Sequence, residues 1–184
     1  KEKHIPIRIG VNSGSLDKEM HDYSSEYTAE KLVASAKKHV DILESLDFKD
    51  ICISLKANDI NLCVESYKLA SSIYDYPMHI GITEAGLEYS GLAKSSIGLG
   101  ILLYEGIGDT IRVSLATDPV KEVIAAKEIL SNFKLYSKPT LTVCPTCGRT
   151  EYDLIPIANK INEYIKNIKK PLKLAVMGCV VNGI

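Results

Sequence analysis

Residues 7–12 read Ile-Arg-Ile-Gly-Val-Asn, an alternation of branched apolar residues with small or polar ones. The same pattern returns at 51–56 (Ile-Cys-Ile-Ser-Leu-Lys), 78–83 (Met-His-Ile-Gly-Ile-Thr) and 110–115 (Thr-Ile-Arg-Val-Ser-Leu). A period of two marks strands with one apolar face. That face carries Ile7, Ile9 and Val11; Ile51, Ile53 and Leu55; Met78, Ile80 and Ile82; Ile111, Val113 and Leu115. The opposite face carries Arg8, Gly10 and Asn12; Cys52, Ser54 and Lys56; His79, Gly81 and Thr83; Thr110, Arg112 and Ser114.

Counting outward, six short apolar runs recur: Ile5–Val11, Ile51–Leu55, Met78–Ile82, Ile111–Leu115, Leu141–Val143 and Leu172–Val176. Stretches of helical spacing separate them. In Thr28–Leu46, Leu32, Ala36, Val40 and Leu43 share a face and Thr28 is placed to cap the N-terminus. Asp59–Ile73, Ser95–Glu105, Pro119–Ser131 and Ile155–Ile168 follow, with Asp118 before Pro119 as an acidic cap and first-turn proline. Strands alternating with helices at roughly 30-residue spacing indicate βαβ units and a parallel sheet.

Strands covered by helices on both faces should be apolar throughout. The first four are not. The expected architecture is therefore a barrel whose apolar outside packs on helices and whose lumen is polar; the alternative is an open sheet with its polar face solvated. In a barrel, Arg8, Lys56, His79 and Arg112 form an electropositive set near the C-terminal strand ends, the end that carries the chemistry in (β/α)₈ barrels. Four strands are half of such a barrel, so the other half is expected upstream.

The chain has 184 residues, 46% apolar and 24% charged, with a formal net charge of −1. This is a globular balance, without the basic block of a nucleic-acid surface. No apolar run approaches the roughly 18 residues of a membrane span and the N-terminus does not read as a signal peptide, so the expected location is the cytoplasm. The chain opens on Lys1 without a start methionine and stops at Ile184 after a glycine-bearing turn, and reads as a fragment.

Five cysteines are present. Cys144-Pro-Thr-Cys147-Gly-Arg and Met177-Gly-Cys179-Val-Val-Asn-Gly each follow an apolar run. Three thiols in Gly- or Pro-bearing loops after strands suit one metal site, because such loops wrap closely around sulfur and turn N–H groups toward it. An iron–sulfur cluster, a zinc site and a thiol redox pair all remain compatible with the spacing. Cys52, inside a strand, and Cys63, inside a helix, read as small buried hydrophobes. Glu84 follows the third strand, where an acid or base could reach a ligand, although a surface loop glutamate is an equal reading. Lys94, Ser95 and Ser96, taken as preceding a helix, suggest an anion site. The glycines of 98–108 match no phosphate-binding fingerprint and read as packing glycines.

RIGVNSGSL, SLKANDINLCVESYKL, HIGITEAG, KSSIGLG, EGIGDTIRVSLATDPVKEV, CPTCGRTEYDL and VMGCVVNG occur together, in the order expected of the 4-hydroxy-3-methylbut-2-enyl diphosphate synthase family. The chain resembles this family of iron–sulfur enzymes of the methylerythritol phosphate route from Pro6 to Gly183. The resemblance implies the second half of a (β/α)₈ barrel over residues 1–136, then the truncated start of a cluster domain over 137–184. It implies a [4Fe–4S] cluster held by Cys144, Cys147 and Cys179, with a glutamate beyond the end of this chain as fourth ligand; where the family usually reads NGPGE, this chain has Asn182-Gly183-Ile184. It implies Arg8, Asn12, Lys56, Arg112 and Ser114 near a cyclic diphosphate. His79 and Glu84 match positions near the reacting carbons, Glu84 being the better proton donor. The implied reaction is reductive ring opening and dehydroxylation of 2-C-methylerythritol 2,4-cyclodiphosphate. Ferredoxin or flavodoxin is the implied electron donor, and a homodimer the implied assembly.

Overall fold

The computed structural model describes residues 2–3, 5–16, 28–168 and 170–182. The closing Gly183 and Ile184 lie outside the described residues. The chain forms two compact units, Lys1–Phe133 and Lys134–Ile184.

In the first unit, strands β1 (Ile7–Asn12), β2 (Ile51–Lys56), β3 (His79–Gly81) and β4 (Thr110–Arg112) alternate with helices α1 (Ala29–Ser45), α2 (Ile60–Ile73), α3 (Glu88–Tyr104) and α4 (Pro119–Asn132). A 3₁₀ turn, Ser13–Ser15, follows β1. β1 pairs with β2 in parallel, Ile9 facing Ile53 and Asn12 facing Lys56. β3 pairs with β4 in parallel, Gly81 facing Arg112. A parallel bridge from Ile53 to Met78 places β2 beside the start of β3, so the strands lie in chain order.

Beyond that bridge, α2 enters the seam between β2 and β3. Tyr67, fully buried, donates its hydroxyl to the His79 carbonyl at 2.7 Å. The Cys63 thiol lies 3.6 Å from the Leu55 carbonyl and 3.5 Å from the Gly81 carbonyl. Helix side chains thus serve strand carbonyls there, as burial requires. Cys63 is buried as its flanking residues suggest, and burial pushes its thiol up to about 11. Cys52 departs from expectation: it is half-buried and paired with Arg8 on the polar side, because strand alternation outweighs its apolar neighbours.

The caps follow the sequence. Thr28 Oγ1 accepts from the Lys31 N–H at 3.4 Å and Asp118 Oδ1 from the Val120 N–H at 2.9 Å, and α2 has a further cap, Asp59 Oδ1 accepting from the Leu62 N–H at 2.8 Å. The apolar strand faces and the helix stripes make one core, in which Ile53, Leu55, Ile80, Leu32, Leu99 and Leu102 are among the most deeply buried. α3 is the main departure, beginning at Glu88 rather than Ser95. Glycines weaken an isolated helix, but here they bring it onto the sheet: a Cβ on Gly98 would lie 2.5 Å from Ile82 Cδ1. Lys94–Ser96 are therefore mid-helix, their N–H groups belong to the helix ladder, and the anion site expected of them does not form.

The second unit contains β5 (Thr140–Val143), α5 (Leu154–Ile165) and β6 (Lys173–Val176). β5 and β6 pair in parallel, Val143 facing Val176. Leu154, Ala158 and Val176 form its small core, with Leu141 and Ile161 packed against them.

Candidate functional site

With the branched residues of β1–β4 turned to the helices, the intervening residues share the other face. Arg8 stands opposite Cys52, Asn12 opposite Lys56, His79 opposite Thr110 and Gly81 opposite Arg112. Gly81 makes room for this grouping: a Cβ there would lie 3.3 Å from Lys56 Cε and 2.8 Å from the Arg112 carbonyl. The Lys56 stem thus lies over the glycine, and the residue is only 7% exposed. Gly10 has nothing within 4 Å of its own Cβ position, so the face stays open beside Arg8. Arg112 Nη2 donates to Ser114 Oγ at 3.3 Å.

Electrostatics shows how closely these cations are set. Burial first, then Arg112 and Arg8, pushes the Lys56 ammonium down to about 8. Burial, followed by Lys56, Arg8 and Arg112, pushes His79 down to about 4. At neutral pH His79 is therefore an uncharged imidazole. Its Nδ1 shares a 2.8 Å hydrogen bond with Thr110 Oγ1, while its buried Nε2 has no partner among the described residues. Cations set this close repel one another and make a surface that gains from a multiply charged anion.

Glu84 stands at the end of β3, in the left-handed region at φ 51°. Its Oε1 would be 3.7 Å from a Cβ on Gly14, so the carboxylate lies beside the turn after β1. Asn58, in the loop after β2, donates from Nδ2 to the Glu84 carbonyl at 2.7 Å. Lys94 Nζ donates to Asn58 Oδ1 at 2.7 Å. The residue reading missed Asn58 and Tyr67. A polar residue just past a strand end was the available sign for Asn58; nothing local marks Tyr67 as a seam residue.

In the second unit the cysteines follow the paired strands. Cys144 extends the ladder, its N–H donating to the Val176 carbonyl at 3.0 Å, and its Sγ accepts from Asn182 Nδ2 at 3.5 Å. Cys147 and Thr150 close a reciprocal turn, the Cys147 N–H reaching Thr150 Oγ1 at 2.9 Å and the Thr150 N–H reaching the Cys147 carbonyl at 3.0 Å. The Arg149 backbone N–H is the main cause holding the exposed Cys147 thiol below its ordinary range. The Glu151 N–H donates to the Gly178 carbonyl at 2.9 Å, and Tyr152 Oη to the Met177 carbonyl, tying the two cysteine loops together. Cys144, Cys147 and Cys179 are all free thiols at least partly open to solvent. Among the described residues, no three His, Cys, Asp or Glu side chains are gathered tightly enough for a single metal ion. Thiolates around a multi-iron cluster stand further apart, and this donor set, thiols on tied loops with N–H groups nearby, fits such a group chemically.

Residues 1–127 match the family model described as the GcpE TIM-barrel domain, and 140–184 the GcpE protein C-terminal domain. Over all 184 residues the chain is 56% identical to a protein of Geobacillus thermodenitrificans, 55% to one of Halalkalibacterium halodurans and 54% to one of Bacillus subtilis. Each is named 4-hydroxy-3-methylbut-2-en-1-yl diphosphate synthase (flavodoxin). The chain spans about half the length of these relatives, 49% of the first and 50% of the second. With family models covering both compact units, the chain belongs to the GcpE family.

Proposed function

We propose that the protein containing this chain carries out reductive ring opening and dehydroxylation of 2-C-methyl-D-erythritol 2,4-cyclodiphosphate to 4-hydroxy-3-methylbut-2-enyl diphosphate. The observation that carries this reading is the crowding of Arg8, Lys56 and Arg112 on one strand face, a place for a diphosphate rather than a single negative charge. Residues 1–136 are read as the second half of a (β/α)₈ barrel and 137–184 as the start of a cluster domain.

In the reaction two electrons and a proton enter, the bond from carbon to the ring phosphate oxygen breaks, the hydroxyl on the neighbouring carbon leaves as water, and a double bond forms between the two carbons. Arg8, Lys56 and Arg112 hold the diphosphate and stabilise the charge it gains on ring opening. Asn12 and Ser114 complete its hydrogen bonding. His79, neutral and with Nε2 free of a partner among the described residues, orients the carbon skeleton rather than supplying a proton. Glu84 delivers the proton to the departing hydroxyl. Cys144, Cys147 and Cys179 would hold a [4Fe–4S] cluster, which would supply the electrons one at a time. Flavodoxin, in the names of the relatives, is the proposed donor, with ferredoxin the other. Two copies form the proposed assembly.

The test uses a full-length polypeptide carrying this segment, prepared anaerobically. Iron and acid-labile sulfide in cluster proportion, together with viologen-driven conversion of the cyclic diphosphate, is the expected result. Stoichiometric zinc without sulfide would establish the zinc-stapled alternative. A full cluster without turnover would overturn the assigned reaction.

A further inference from the structure

We propose that Asn58 and Lys94 are positioning residues for Glu84, fixing its backbone so that the carboxylate stands over the strand ends. This rests on the proton-donor role assigned above to Glu84. Glu84 adopts the left-handed conformation at φ 51°, which a residue with a Cβ enters only when its surroundings hold it. One hydrogen bond grips that peptide from another βα loop: Asn58 Nδ2 to the Glu84 carbonyl, 2.7 Å. Asn58 is itself oriented by Lys94 Nζ on its Oδ1, also 2.7 Å, which fixes which end of the amide faces Glu84. The Thr83 N–H donates to the Ala57 carbonyl at 3.3 Å, bringing the two loops together just before this contact.

Lys94 therefore serves through its Nζ as an anchor on α3, not as an anion ligand. The chain of contact runs from α3 to the loop after β2 and then to the loop after β3. A carboxylate that delivers a proton must sit within hydrogen-bond reach of its target, and a small displacement lowers the rate sharply. Among the described residues the Asn58 side chain hydrogen-bonds to the Glu84 carbonyl and Lys94 Nζ rather than to Arg8, Lys56 or Arg112, so its loss should spare anion binding.

The experiment uses the full-length, cluster-loaded polypeptide. Asn58→Ala should lower kcat by about 10- to 100-fold while KM for the cyclic diphosphate stays within about threefold. Asn58→Asp keeps the acceptor for Lys94 but loses the donor to Glu84, and should be impaired as strongly. Adding Asn58→Ala to Glu84→Gln should cost nothing further, because both act through one carboxylate. A crystal structure of Asn58→Ala should show residue 84 out of the left-handed region. An unchanged kcat, full activity in Asn58→Asp, a further tenfold loss in the double variant, or φ at residue 84 unmoved would each overturn the proposal. If the unaltered polypeptide does not convert the cyclic diphosphate, the assigned reaction falls, and the φ of residue 84 in Asn58→Ala still decides whether Asn58 positions Glu84.

Discussion

Lys56 is the residue on which the electrostatics of the strand face turns. Its folded-state pKa of about 8 lies below the ordinary 10.5, so between these values the folded chain binds fewer protons than the unfolded one. Stability without a ligand should therefore rise as pH climbs from about 8 toward 10.5. A bound diphosphate reverses the local field and favours the charged ammonium. Affinity should be greatest below about 8 and fall as pH rises through it, with proton uptake on binding near that pH. Calorimetry in buffers of different ionisation enthalpy measures this uptake; its absence would place the anion away from Lys56. Gly81 offers a second test. A methyl there would meet the Arg112 carbonyl at 2.8 Å and crowd Lys56, so Gly81→Ala should cost about 1–3 kcal/mol in urea unfolding. It should weaken diphosphate binding as well, and unchanged affinity would show that the Lys56 stem can move aside freely.

Among the elements, α2 does more than cover the sheet. Its Tyr67 hydroxyl and Cys63 thiol reach strand carbonyls in the seam between β2 and β3, at His79 and at Leu55 and Gly81 respectively. Tyr67→Phe keeps the ring but leaves a buried carbonyl unpaired, so it should destabilise the fold by about 1–3 kcal/mol. Denaturant unfolding followed by circular dichroism would measure this. A neutral effect would mean that β3 closes onto β2 when the hydroxyl is gone. The β5–β6 pair matters differently, since its register sets Cys144 and the 177–179 loop at the same end of two adjacent strands. In the full-length protein, replacing Cys144, Cys147 or Cys179 by serine should abolish reductive turnover and bleach the cluster absorbance. Cys52→Ser and Cys63→Ser should keep the colour and change at most stability, by about 1 kcal/mol. A colourless Cys52→Ser protein would mean that the ligand set is wrong.

At the scale of the molecule, the four-stranded parallel array leaves apolar side chains uncovered toward both ends. Ile7 and Ile42 are 43% and 57% exposed by β1 and α1, and Val120, Val123 and Ile124 on α4 are 63%, 53% and 59% exposed. Apolar surface of this kind calls for a partner, and the chain spans 49% of its Geobacillus relative. The 184-residue chain produced alone is therefore expected to bind a hydrophobic dye and to show no synthase turnover under reducing, anaerobic conditions. Measurable turnover would show that these residues suffice for catalysis.

The faces of the strands, the helices and the cysteine loops were legible in the residues, because side-chain alternation, capping by Thr28 and Asp118, and Gly- and Pro-bearing loops are properties of neighbours in sequence. Even the grouping of Arg8, Lys56, His79 and Arg112 follows from alternation once the strands are parallel and in order. Other features needed the folded chain. The start of α3 at Glu88 rests on close packing against Ile82 and Leu115, which compensates for glycines that count against a helix in isolation. The link of Asn58 to Glu84 spans 26 residues and that of Lys94 to Asn58 spans 36, so no local pattern announces either. What the sequence alone determined is which residues share a face. Only the tertiary structure decided which loops meet at the strand ends, because those contacts join segments that the chain brings together only by closing its βα units.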